Sequence, residues 1–149
     1  MIRLADASAT AAFAARLAPL LRAPDVVALS GPLGAGKTLF ARAVIEALGG
    51  PREVPSPTFT LVQTYDLAPA PVWHFDLYRL ARPEDAYELD IEDAFADAIS
   101  LIEWPERLGA LLPADRLDVA LAFGAAETER QVTLTGSHGW STRLQKLAA

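Results

Sequence analysis

An α/β fold is what this sequence predicts: a three-layer sandwich around a mixed, partly parallel sheet that carries antiparallel hairpins. Three observations lead there. A short apolar strand runs into a glycine loop and then a helix across residues 25–48. A second apolar run, Ala98-Ile99-Ser100-Leu101-Ile102, has the pattern of a strand buried on both faces. Two further pairs of segments alternate apolar and polar residues around turn signals, as hairpins do.

Taken in order, Phe13, Leu17, Leu20 and Leu21 fall on one helical stripe, and Asp6 or Ser8 can cap a first helix that ends before Pro24. Asp6, Arg16 and Pro19 interrupt this Ala-rich stretch, so it reads as an amphipathic helix rather than a targeting segment. Residues 26–30 form the first strand, and the helix after the glycine loop stops at Gly49-Gly50. Pro51, Pro55 and Pro57 make residues 51–57 a loop. Residues 58–65 and 72–78 read as an antiparallel hairpin turned at Pro69 and Pro71. Short acidic helices are expected at 83–89 and 91–95, a buried strand at 98–103 and a helical turn at 105–111. Residues 117–123 and 130–135 pair as strands, and residues 140–147 close the chain as a helix. The whole chain, residues 1–149, reads as one domain.

The chemistry concentrates in Gly31-Pro32-Leu33-Gly34-Ala35-Gly36-Lys37-Thr38, which spells G-x-x-x-x-G-K-T between a strand and a helix. Glycines let the main chain approach a ligand closely, so loop N–H groups and a helix N-terminus converge on phosphates. Lys37 is one of only two lysines in the chain and should reach the β/γ-phosphates; the Thr38 hydroxyl should take a position on Mg2+. The expected nucleotide-binding set is Gly34, Ala35, Gly36, Lys37, Thr38 and Leu39. This makes the expected fold P-loop NTPase-like, with ATP and Mg2+ as cofactors.

Such a loop needs carboxylates at neighbouring strand ends, for the cation and for the attacking water. Asp76 follows Val72-Trp73-His74-Phe75, and Glu103 follows Ile99-Ser100-Leu101-Ile102. Each has an alternative reading as a strand-end carboxylate facing solvent. Thr58 stands where nucleotide switches place a γ-phosphate sensor, or serves β-propensity alone. Trp104 reads by pattern as core, and His74, one strand period from Asp76, as a satisfied core imidazole on the same face.

Composition narrows the class. Hydrophobic content of 52% with 21% charged residues marks a globular chain rather than a disordered one. The absence of cysteine excludes disulfides and thiolate sites and fits a reducing cytoplasm. With a net charge of −6 and no Lys/Arg cluster, independent nucleic-acid binding is not expected. No apolar run nears the roughly 20 residues that span a bilayer. Neither lysine can supply an N-K-x-D guanine signature, which leaves an ATPase or a small-molecule kinase, and a kinase would bring an arginine-rich lid.

Four segments in register then resemble one family. Residues 31–38, Ser56-Pro57-Thr58-Phe59, His74-Phe75-Asp76-Leu77-Tyr78-Arg79 and Glu103-Trp104-Pro105 are similar to the TsaE (YjeE) family, ATPases of bacterial tRNA threonylcarbamoyladenosine synthesis. The resemblance implies that Thr38 and Glu103 hold Mg2+, that Asp76 acts in the Walker B role and that Thr58 is a switch residue. It makes Trp104 a required aromatic beside the nucleotide, and places adenine contacts between Asp6 and Thr10 and between Glu127 and Arg130. It also implies that catalysis by Asp76, Glu103 and Lys37 supports turnover of the TsaD–TsaB heterodimer, with tRNA engaged through that complex. A small-molecule kinase and a nucleotide-switched binding module remain the alternatives.

Overall fold

In the computed structural model, which describes residues 1–52, 61–137 and 139–148, seven strands form one sheet. They are β1 (Ile2–Leu4), β2 (Val26–Ser30), β3 (Val62–Asp66), β4 (Pro71–Asp76), β5 (Ile99–Glu103), β6 (Leu117–Phe123) and β7 (Arg130–Gly136). The order across the sheet is β1-β7-β6-β2-β5-β4-β3. β2 runs parallel to both β5 and β6, and β4 parallel to β5. The hairpins β3–β4 and β6–β7 and the edge strand β1 are antiparallel. The expected mixed sheet is therefore what forms.

The α-helices among the described residues are α1 (Ala7–Leu17), α2 (Lys37–Ala47), α3 (Ile91–Asp97) and α4 (Trp140–Ala148), with 3-10 segments at Ala18–Leu20, Pro83–Leu89 and Pro105–Leu111. Asp6 caps α1, its carboxylate accepting from the Ala9 N–H at 2.8 Å. Phe13 of α1 meets Phe40 of α2 with ring centroids 6.3 Å apart. Both rings lie over the sheet face formed by Val27, Leu29, Leu101 and Val119, which α1, α2 and α4 cover. The opposite face, with Val26, Phe75 and Ile102, is closed by α3 and the flanking 3-10 segments through Ile91, Ala94 and Leu108. Covered on both sides, β2 and β5 are apolar almost throughout, as strands of an interior parallel sheet must be.

β1 was not anticipated. Three residues carry too little periodicity to register, and only pairing of Ile2, Arg3 and Leu4 with Val132, Gln131 and Arg130 makes them a strand. The expected strand at 58–65 begins, among the described residues, at Val62; Thr58 and most of the proline loop lie outside them. No helix among the described residues is long and apolar enough to cross a membrane.

Candidate functional site

β2, β4 and β5 all deliver their C-terminal ends to one edge, and the chain leaving β2 becomes the glycine loop. Gly31 takes φ +142°, and a Cβ there would stand 2.3 Å from the Leu121 carbonyl oxygen, so only glycine fits between the loop and β6. Gly36 caps α2 in the left-handed region at φ 108°. The N–H groups of the first turn of α2 are thereby left without intrahelical partners at the loop's mouth.

Lys37 is 5% exposed, and its ammonium donates to the Gly31 carbonyl at 2.6 Å and the Pro32 carbonyl at 2.9 Å. It also sits 4.0 Å from the ring centroid of Trp104. Burial pulls its pKa below the ordinary lysine value, against the opposing pull of the Glu103, Glu106 and Asp76 carboxylates.

Asp76 and Glu103 are neighbours across the β4–β5 pair. Neither faces solvent: their exposures are 6% and 2%, so the reading of both as solvated strand ends is set aside. One Glu103 oxygen accepts from the Thr38 hydroxyl at 2.8 Å, tying β5 to the start of α2. The other lies 2.6 Å from His74 Nε2. One Asp76 oxygen accepts from the Tyr78 N–H at 3.1 Å.

Directly after Glu103 the backbone turns left-handed at Trp104, φ 57° and ψ 51°, ahead of Pro105. A bulky residue in that region is strained. The turn brings the indole over Lys37, where it meets Tyr78 at a centroid distance of 4.9 Å while still packing against the core around Phe75 and Ile102. The pattern reading of Trp104 as core holds in part: it is half-buried against the core, and it also lines the cleft. His74 is fully buried, as expected, but among the described residues only its Nε2 is engaged and Nδ1 has no hydrogen-bond partner.

A cleft of about 380 Å³ joins the expected residues Gly34, Gly36, Lys37, Thr38, Leu39, Asp76, Glu103 and Trp104 with Leu33, Tyr78 and Arg79. Tyr78 and Arg79 had been quoted within a motif without a role; their place after β4, where the chain turns at the sheet edge, was the available signal. A second cleft of about 360 Å³ lies beside the same loop. It brings Ala7 and Thr10 of α1 together with Glu127, Thr128 and Arg130 across Gly34, Ala35, Gly36 and Leu39. The two segments from which base contacts were expected therefore meet there, and Arg130 donates to the Gly34 carbonyl at 3.4 Å. Thr58 lies outside the described residues.

Comparison with known proteins came to one family. The model for threonylcarbamoyl adenosine biosynthesis protein TsaE matches residues 4–132. The tRNA threonylcarbamoyladenosine biosynthesis protein TsaE of Rickettsia bellii is 43% identical over 73% of this chain and 76% of its own. That of Streptomyces coelicolor is 40% identical over 85% of this chain and 90% of its own. Among solved structures, Bacillus subtilis YdiB superposes with a TM-score of 0.82 at 29% identity, covering 99% of this chain and 92% of that one.

Proposed function

The chain belongs to the TsaE family of tRNA threonylcarbamoyladenosine biosynthesis, and from that premise we propose that it is a Mg2+-dependent ATPase. The observation that carries the proposal is the Thr38–Glu103 hydrogen bond beside the buried Lys37. It gathers a cation for phosphate, a hydroxyl and a carboxylate at the opening of one glycine loop.

The residues fit both absent groups. Hard oxygen donors from Thr38, Glu103 and Asp76 suit Mg2+. Among the described residues no three His, Cys, Asp or Glu side chains could hold a metal by themselves. A cation here would therefore share its ligands with phosphate oxygens and water, as Mg2+ commonly does. When bound it would neutralise charge on the transferring phosphoryl group. Thr38 and Glu103 would hold it, with Asp76 in the Walker B role beside them. Lys37 would exchange the Gly31 and Pro32 carbonyls for the β/γ-phosphates, and Gly34, Ala35 and Gly36 would present main-chain N–H groups. Trp104 would cover the lysine from the solvent side. The second cleft, with Thr10 and Arg130, would take the base.

In this reading, hydrolysis supports repeated turnover of the TsaD–TsaB heterodimer in the cytoplasm, and tRNA is engaged through that complex. The test is reconstitution of the tRNA modification with TsaD–TsaB, with and without this chain, using wild type and Glu103→Ala. Wild type should sustain multiple turnovers with phosphate release, while Glu103→Ala binds ATP without hydrolysing it. Equal ATPase rates for the two would remove Glu103 from the mechanism. A phosphorylated metabolite formed with stoichiometric ADP would replace the ATPase with a kinase.

A further inference from the structure

We propose that His74 is a positioning residue that holds Glu103 in its working orientation; the assignment rests on the ATPase reading above. Glu103 has a flexible side chain, yet both its oxygens are tied: one accepts from Thr38 at 2.8 Å and the other lies 2.6 Å from His74 Nε2. A carboxylate only accepts, so Nε2 carries the proton that joins them. A cation would take a lone pair of the Thr38 hydroxyl and leave its proton on Glu103, so the Thr38 and His74 tethers together would fix both carboxylate oxygens. The imidazole cannot itself reach substrate. It is 0% exposed and stands one strand period behind Asp76, opposite Leu101 rather than Glu103 in the β4–β5 register.

The ring is also a poor choice for the core on stability grounds alone. Among the described residues Nδ1 has no partner, and an apolar residue of similar size would bury no such polar atom. The ring's one polar contact among the described residues is the carboxylate at the mouth of the phosphate loop. This is the arrangement by which an outer residue orients a metal ligand, and removing such residues commonly costs about 10–100-fold in metal affinity or activity.

The experiment compares His74→Phe, which keeps bulk, with His74→Gln, which keeps an N–H within reach of Glu103. ADP affinity is measured calorimetrically with Mg2+ and with EDTA, alongside kcat and KM for ATP. For His74→Phe the affinity in EDTA should stay within about twofold of wild type. Its Mg2+-dependent gain and its kcat should each fall about tenfold or more, with KM little changed. His74→Gln should recover most of both losses. A folded His74→Phe with wild-type Mg2+ dependence and kcat overturns the assignment. So does an equal loss of affinity with and without Mg2+, which marks a packing role. Should neither variant fold, the imidazole N–H resonance of the wild-type protein decides. It should shift when Mg2+ is added to the ADP complex, and an unmoved signal overturns the assignment. A wild type that binds no nucleotide removes the ATPase reading and this assignment together, whereas the other adverse results remove this assignment alone.

Discussion

Lys37 carries a free-energy cost of burial that the Gly31 and Pro32 carbonyls and the nearby carboxylates offset only in part. Its folded-state pKa lies below the ordinary 10.5 because burial strips water from the ammonium. The unfolded chain therefore holds that proton more tightly, and the penalty on folding is fully present at neutral pH. It is relieved only as pH climbs from the lowered value toward 10.5. Lys37→Met should thus leave the nucleotide-free protein at least as stable as wild type at pH 7. MgATP should raise the wild-type melting temperature and leave that of the variant unmoved. Thermal melts with and without MgATP check both, and a variant that melts earlier without ligand would assign the lysine a structural role. The glycine motif was legible in the sequence because its chemistry is local: three glycines, a lysine and a threonine at fixed spacing. Trp104 was not. Its left-handed backbone is imposed by what surrounds it, and a positive φ on tryptophan is the opposite of what propensity predicts.

Elements with strong periodicity were readable in order, as β2, α2, β4, β5 and the β6–β7 hairpin show. β1 was not, because it exists only through its pairing with β7. α4 was expected at residues 140–147, but what fastens it lies far away in the chain and was not legible. Arg143 of α4 bonds both Asp25 oxygens, at 2.6 and 3.0 Å, and donates to the Leu20 carbonyl at 3.0 Å. It lies 3.6 Å over the Trp140 ring, while Arg16 donates to the Leu147 carbonyl. Asp25 sits immediately before β2, so the last helix is clamped to the strand that feeds the glycine loop. The side chains are 17% and 10% exposed, so the pair is well shielded. Breaking such a pair costs more than a surface one; a fully buried pair loses about 3–5 kcal/mol. Asp25 keeps the Arg22 N–H at 2.8 Å, which reduces the loss. Arg143→Ala should therefore lower stability by roughly 2–3 kcal/mol in urea unfolding. A change below about 0.5 kcal/mol, the size of an ordinary surface substitution, would show that α4 needs no such clamp.

At the scale of the whole molecule, β2 sits mid-sheet with parallel neighbours on both sides, and the cleft opens at the carboxyl ends of β2, β4 and β5. Ligands of open α/β sheets bind outside the carboxyl ends of the strands. The sequence carried the strand types and their number apart from β1, but not the order, because the order depends on which faces the helices cover. Tyr78 and Arg79 line this cleft and are exposed. Arg79 is the one arginine among the described residues that lines it. Phosphoryl transfer accelerates when water is excluded and a further positive charge meets the transition state. An exposed rim arginine supplies little of either until something packs against it. The isolated chain should accordingly hydrolyse ATP slowly, on the order of 10⁻⁴ to 10⁻² s⁻¹ as unassisted P-loop enzymes do. Adding TsaD–TsaB should raise kcat at least about tenfold, as a partner completing a P-loop site can. Net charge of −6 makes tRNA a poor substitute for that partner, so tRNA alone should neither bind appreciably at physiological salt nor stimulate turnover. Single-turnover assays with each component separate these cases. Fast hydrolysis indifferent to the heterodimer would mean that the open cleft is already complete, with Arg79 supplying the charge from within the chain.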